Sequence, residues 1–160
     1  MATVQNPLVA LNDPVAQMLL QSTLPAHLAY VADDGTPRVI PIWFHWTDSE
    51  LVFGSPPTAP KAKSVTNGSP ITVTIDTITW PYKVLQIRGN AEVSTVNGVA
   101  REYATAARRY FGEEQGKAWV QQVGSLFPAM TRIALKPTWA NILDFEQRFP
   151  SAIAAAMAGK

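Results

Sequence analysis

Cysteine is absent from this 160-residue chain. Disulfides, thiolate metal sites and a cysteine nucleophile are therefore excluded, and an intracellular setting fits a chain without disulfides. Histidine is nearly absent too. Only His27 and His45 occur, with no HxH or HExxH spacing, so no metal-ligand motif is legible. Charged residues are scarce at 16%, and the net charge is +1, which argues against a nucleic-acid surface. No apolar run reaches about 18 residues, so nothing reads as a membrane span. The start, MATVQNPLVALNDP, has no basic region ahead of an apolar core. No secretory leader is expected, and the cytoplasm is the expected location. No GxSxG elbow is present. Glu113-Glu114 reads as a helix start favoured by the dipole, and Asp33-Asp34 as turn chemistry, so no acid/base pair is identified.

What is there is apolar and aromatic: 47% hydrophobic residues and five tryptophans. That composition suits one globular domain over residues 1–160. Asn12-Asp13-Pro14 is a helix-start signal, within an N-terminal helical stretch over 8–24 that Pro25 ends. His27 to Ala32 and Arg38 to Trp46 read as strands joined by the turn Asp33-Asp34-Gly35-Thr36, because Asp-Gly tolerates positive φ. Pro41 donates no ladder bond, so it belongs at a bulge or an unpaired edge. Glu50 to Ser55 is a further strand. Pro60 to Thr66 is a short helix closed by Asn67-Gly68-Ser69-Pro70, and Ile71 to Thr77 alternates as a half-buried strand. Lys83 to Val96 is one long strand kinked at Gly89. A helical insertion over 98–124 follows, interrupted at Gly112, with Tyr103 and Tyr110 among its periodic positions. Met130 to Leu135 and Trp139 to Asp144 read as two strands split by Lys136-Pro137, and the Ala-rich tail as helix-prone. Hairpins dominate and no βαβ alternation occurs. The expected class is mostly β with inserted helices, a small closed or split antiparallel barrel.

The stretch from Arg38 to Asp76 combines apolar walls, small residues and positive charge most compactly. Lys61 and Lys63 open a short helix beside a hairpin's end, where free N–H groups and the helix dipole favour an anion. Spacing alone describes them better as two solvated surface lysines. Arg88 follows a clean apolar alternation, so it needs a partner, either an acid such as Glu92 or a phosphate. Trp43, Phe44, Trp46 and Trp80 concentrate around the same hairpin and the later loop. They suit a dimer interface, where aromatics are enriched, or a wall against a flat ligand.

In order and spacing, LAYVADDGTPRVIPIWFHW, LVFGSP, PKAKSVTNGSPITVTID and WPYKVLQIRGNAEV resemble the pyridoxamine 5′-phosphate oxidase-like superfamily of flavin- and deazaflavin-binding split β-barrels. The likeness covers residues 28–96, with weaker support from KPTWANILDF. It implies a split antiparallel β-barrel of the FMN-binding type and a homodimer with cofactor bound across the interface. Lys61, Lys63 and Ser64 would hold the phosphate. Val39, Ile40, Pro41, Ile42 and Trp43 would line the isoalloxazine, and Phe53, Gly54 and Ser55 would form the floor. Trp80 and Arg88 would come from the second subunit. The implied cofactor is FMN, with coenzyme F420 as the alternative. The implied chemistry is hydride transfer to or from a small organic substrate, with a non-catalytic flavin- or haem-binding protein as the reading of another class. The histidine that pyridoxamine phosphate oxidases carry near their end has no match in RFPSAIAAAMAGK, so oxidation of vitamin B6 is not expected.

Overall fold

Alternation writes the strands, and turn residues join them. The computed structural model describes residues 7–159; residues 1–6 and Lys160, which belong to the expected domain span and N-terminal reading, lie outside the described residues. Strands β1 (Ala26–Val31) and β2 (Pro37–Ile42) form the first hairpin. Gly35 turns it at φ 78°, and the Asp34 carboxylate accepts from the Thr36 amide at 3.0 Å and from Arg38 at 3.0 Å. Strand β5 (Pro70–Asp76) buries Ile71, Val73 and Ile75 while Thr72 and Thr74 stay half-exposed, as its alternation requires.

The segment 38–46 is not one strand. It leaves the ladder after Ile42 and re-enters as β3 (His45–Trp46), paired with β4 (Leu51–Ser55). Trp43 and Phe44 turn away because the buried Phe44 carbonyl accepts from the Arg109 guanidinium instead of a strand neighbour. The sheet order is β2-β1-β5-β6-β7-β4-β3, antiparallel throughout. Its outermost strands, β2 and β3, are therefore consecutive in the chain. Two intervening residues reach no further than about 11 Å, so the sheet must curl until its edges approach at Trp43. That curl makes a barrel with a slit. Pro41 sits on β2, an edge strand of this sheet, where no ladder bond is missed.

Strands β6 (Lys83–Asn97) and β7 (Ala129–Asp144) pair along their lengths. The two strands expected over 130–144 are one, because a bulge absorbs Pro137. The register steps from Arg88↔Trp139 to Gly89↔Pro137, leaving Thr138 as the extra residue. Gly89 is required there, since a Cβ would stand 1.9 Å from the Lys136 carbonyl oxygen. The barrel interior holds Leu28, Phe53, Val73, Leu85, Ile87 and Ile133, all fully buried.

The segment 8–24 carries two helices rather than one, α1 (Pro7–Leu11) and α2 (Pro14–Leu20). The Asp13 carboxylate caps α2 by accepting from the Val15 amide at 2.9 Å, and Pro14 cannot donate backwards to continue α1. Leu11, Leu19 and Leu20 join the barrel core. Between β4 and β5 lies α3 (Pro60–Ser64). Helices α4 (Arg101–Phe111) and α5 (Glu113–Leu126) join at Gly112, whose φ is 84°. They touch closely at Gly116, where a Cβ would lie 2.6 Å from the Arg108 Cα. The last helix, α6 (Ser151–Ala158), buries no side chain in this chain. No described helix is long and apolar enough to cross a membrane.

Candidate functional site

A cleft of about 410 Å³ opens at the slit, within the size range of small-ligand pockets. Pro41, Ile42 and Trp43 enter it from the end of β2, and Gly54 from β4. Pro56 and Lys61 enter from the turn and helix that follow β4. Five of the expected residues are thus brought together. Pro25, Pro56, Tyr103 and Trp119 complete the lining and were not among the expected site residues. Only the helical spacing of Tyr103 and Tyr110 hinted at an aromatic face on α4; nothing in sequence tied that face to Trp43.

Lys61 is the cleft's charge. It is half-buried, and burial is the cause that lowers its ammonium pKa below the usual 10.5. No carboxylate lies within ion-pair distance of it among the described residues. Several other cations are compensated. Arg132 meets Glu102 at 2.9 Å and Glu50 at 3.4 Å, Lys136 meets Glu92 at 2.7 Å, and Arg148 meets Asp13 at 2.8 Å. Lys63 is exposed and off the lining; Ser64 is half-buried at the end of α3.

The aromatic wall is built by the insertion. One face of Trp43 stacks on Tyr110, with centroids 5.2 Å apart and planes 10° apart, and Phe111 meets it edge-on at 4.8 Å. The Tyr110 hydroxyl donates to the Leu24 carbonyl at 2.8 Å, and Arg109 Nε to the Ser22 carbonyl at 3.0 Å. These bonds tie α4 to the segment entering β1. Tyr103 and Trp119 stand 6.1 Å and 6.5 Å from the Trp43 ring, and Trp119 Nε1 donates to Tyr103 Oη at 2.8 Å. Gly54 lets α4 approach the sheet. A Cβ there would lie 2.7 Å from Met130 Sδ and 2.8 Å from Tyr103 Cβ.

The remaining expected residues lie elsewhere. Phe53 is sealed in the core, and Ser55 is buried with its hydroxyl donating to the Pro56 carbonyl at 3.3 Å. Ile40 packs against the core, while Val39 is 65% exposed on the outer sheet face. Register sets Val39, Ala29, Thr72, Arg88 and Trp139 side by side across that face. Arg88 lies over the Trp139 ring at 4.1 Å, and Glu92 pairs with Lys136, so of the alternatives for Arg88 the Glu92 pair does not form. Trp80 is 66% exposed beside Tyr82 and Phe145. Neither histidine lines the cleft. His27 pairs with Asp76 at 3.6 Å; His45 has its pKa lowered, first by burial and then by the nearby Arg109 charge. No cluster of three metal-ligating side chains occurs among the described residues.

No protein-family model and no curated protein matches the chain. Solved structures do. An F420 reductase shares 24% identity at a TM-score of 0.57, covering 78% of this chain and 94% of its own. An FAD- and haem-binding protein from Mycobacterium smegmatis shares 17% identity at a TM-score of 0.60, covering 92% and 78%. A protein related to general stress protein 26, of the pyridoxinephosphate oxidase family, from Clostridium acetobutylicum shares 11% identity at a TM-score of 0.55, covering 86% and 87%. The seven-stranded sheet whose edges approach at Trp43 thus shares the split β-barrel fold of these solved structures.

Proposed function

We propose that this chain is a flavin-dependent oxidoreductase that holds FMN at the Trp43–Lys61 cleft, in a cytoplasmic homodimer. The observation that carries this reading is Lys61: a half-buried cation without a carboxylate partner, set among proline, tryptophan and tyrosine. An unpaired buried charge costs stability, and a phosphate on the ligand would offset that cost. In this reading Pro41, Ile42 and Trp43 supply the ring wall, Gly54 the floor with Phe53 and Ser55 buried behind it, and Lys63 and Ser64 lie next to Lys61 on α3. Val39, Arg88 and Trp80 lie off this chain's own cleft; in this reading Trp80 and Arg88 serve the cofactor from the second subunit.

The bound flavin would accept and return hydride. The protein supplies binding, orientation and exclusion of water. Trp43, held on one face by Tyr110, is a rigid apolar wall, and the short loop after β4 brings Lys61 to the same opening. No side-chain acid or base is required by this reading, and no carboxylate or imidazole lines the cleft.

Coenzyme F420 is the second reading, favoured by the likeness to an F420 reductase. Both cofactors present a phosphate to the same lysine. Haem fits the cleft less well, because neither histidine lines it. The visible spectrum of the purified protein, followed by titration with FMN and with F420, separates the readings. A colourless protein that takes up neither cofactor rejects both.

A further inference from the structure

The cleft carries a second polar group whose orientation is set. The indole N–H of Trp119 can only donate, and it donates to Tyr103 Oη at 2.8 Å. The Tyr103 oxygen is therefore the acceptor in that bond, and its own O–H proton must point elsewhere. No protein acceptor takes that proton among the described residues, and both rings line the cleft. The other lining side chains are proline, isoleucine, tryptophan and Lys61. The cleft's side chains thus offer hydrogen-bond donors and no carboxylate. Lys61 suits an anion. Tyr103 suits a neutral acceptor beside a flat, apolar ring.

We infer that Tyr103 and Trp119 act as a specificity pair that selects a flat, uncharged, ring-bearing substrate with a hydrogen-bond acceptor on its edge. Tyr103 donates to the acceptor. Trp119 is a positioning residue, fixing which way the phenol points. The inference rests on reading the cleft as the site where substrate meets cofactor, and it gives the helical insertion a role that the barrel alone does not need. The proline, isoleucine and aromatic lining suits a flat ring.

Quinoline and naphthalene test it, being near-isosteres that differ by one ring-nitrogen acceptor. Their affinities are measured by calorimetry at a pH where quinoline is neutral, on protein with and without added FMN. Wild type should prefer quinoline by about tenfold, the worth of one net hydrogen bond. Tyr103→Phe and Trp119→Phe should each remove that preference, and the double variant should lose no more than either single one. The readout in all three is the ratio of quinoline to naphthalene affinity, because both rings line the cleft and either affinity alone also follows its shape. A wild type without the preference, or a preference that survives Trp119→Phe, overturns the inference. Failure of FMN and F420 uptake by wild type rejects the cofactor reading instead, and the wild-type comparison needs no variant to fold.

Discussion

An ammonium group held half-buried without a counter-ion is a poised residue, and Lys61 shows it in the direction of its pKa shift. The charged form is disfavoured by burial, so a seated anion raises the pKa again. The sign follows. Affinity for a phosphate-bearing cofactor is full at about pH 7 and is lost as pH rises through the Lys61 pKa of the complex. In the cofactor-free protein the same shift makes stability rise as pH climbs from the lowered pKa towards 10.5. Lys61→Arg should carry cofactor affinity to higher pH, measured by absorbance titration across that range. Lys61→Ala should weaken cofactor binding by about 10- to 100-fold, the worth of a charge-assisted hydrogen bond, while leaving the melting temperature unchanged or higher. Lys63→Ala, at an exposed position, should have the smaller effect on affinity. A loss of melting temperature that parallels the loss of affinity in Lys61→Ala would make Lys61 a structural residue.

At the scale of elements, two glycines hold the barrel to its inserted helices and to its own bulge. Gly89→Ala would drive a methyl into the Lys136 carbonyl, which cannot move without breaking the β6–β7 ladder. Its cost should exceed about 3 kcal/mol in denaturant unfolding. Gly54→Ala meets Met130 Sδ and Tyr103 Cβ. The thioether can shift but the root of Tyr103 cannot, so about 1–3 kcal/mol is expected, with a change in cofactor affinity as α4 moves off the cleft. The kink at Gly89, the Asp-Gly hairpin and the alternation of β5 were legible because each depends on nearest neighbours in sequence. The break at Trp43–Phe44 was not. WFHW continues the apolar run of β2, and only the pairing of β3 with β4 and the Arg109 bond to Phe44 show that the chain has changed edges. Pro137 was misleading for the converse reason: proline reads as a strand breaker, and only the bulge shows how the strand absorbs it.

At the scale of the molecule, two of the expected residues that the cleft leaves out, Val39 and Arg88, share the outer sheet face. Val39, Arg88 and Trp139 lie in one register row, and Val39 and Trp80 are exposed apolar groups. The proposed dimer, formed on this face, would bury Val39, Arg88 and Trp139. Val39→Asp should then shift the protein towards monomer in sedimentation and lower cofactor uptake in parallel. An unchanged dimer, or uptake unaffected in the monomer, would detach this face from the site. The direct contribution of α4 and α5 is also visible only at this scale, because sixty residues separate Trp43 from Tyr103 in the chain and nothing local joins them.

By itself the sequence determined the class of the fold, the hairpin turns, the bulge glycine and the segment from β2 to α3 that holds Pro41, Trp43, Gly54 and Lys61. These rest on backbone φ preferences, on period-two burial and on short-range order along the chain. It also excluded thiol chemistry outright. Tertiary structure alone decided that β2 and β3 lie at opposite edges of one curled sheet, that Lys61 faces a cleft while Lys63 faces solvent, and that Trp119 orients Tyr103. The reason is physical: burial and hydrogen-bond direction depend on which distant surfaces meet, and a chain's local spacing does not encode that meeting.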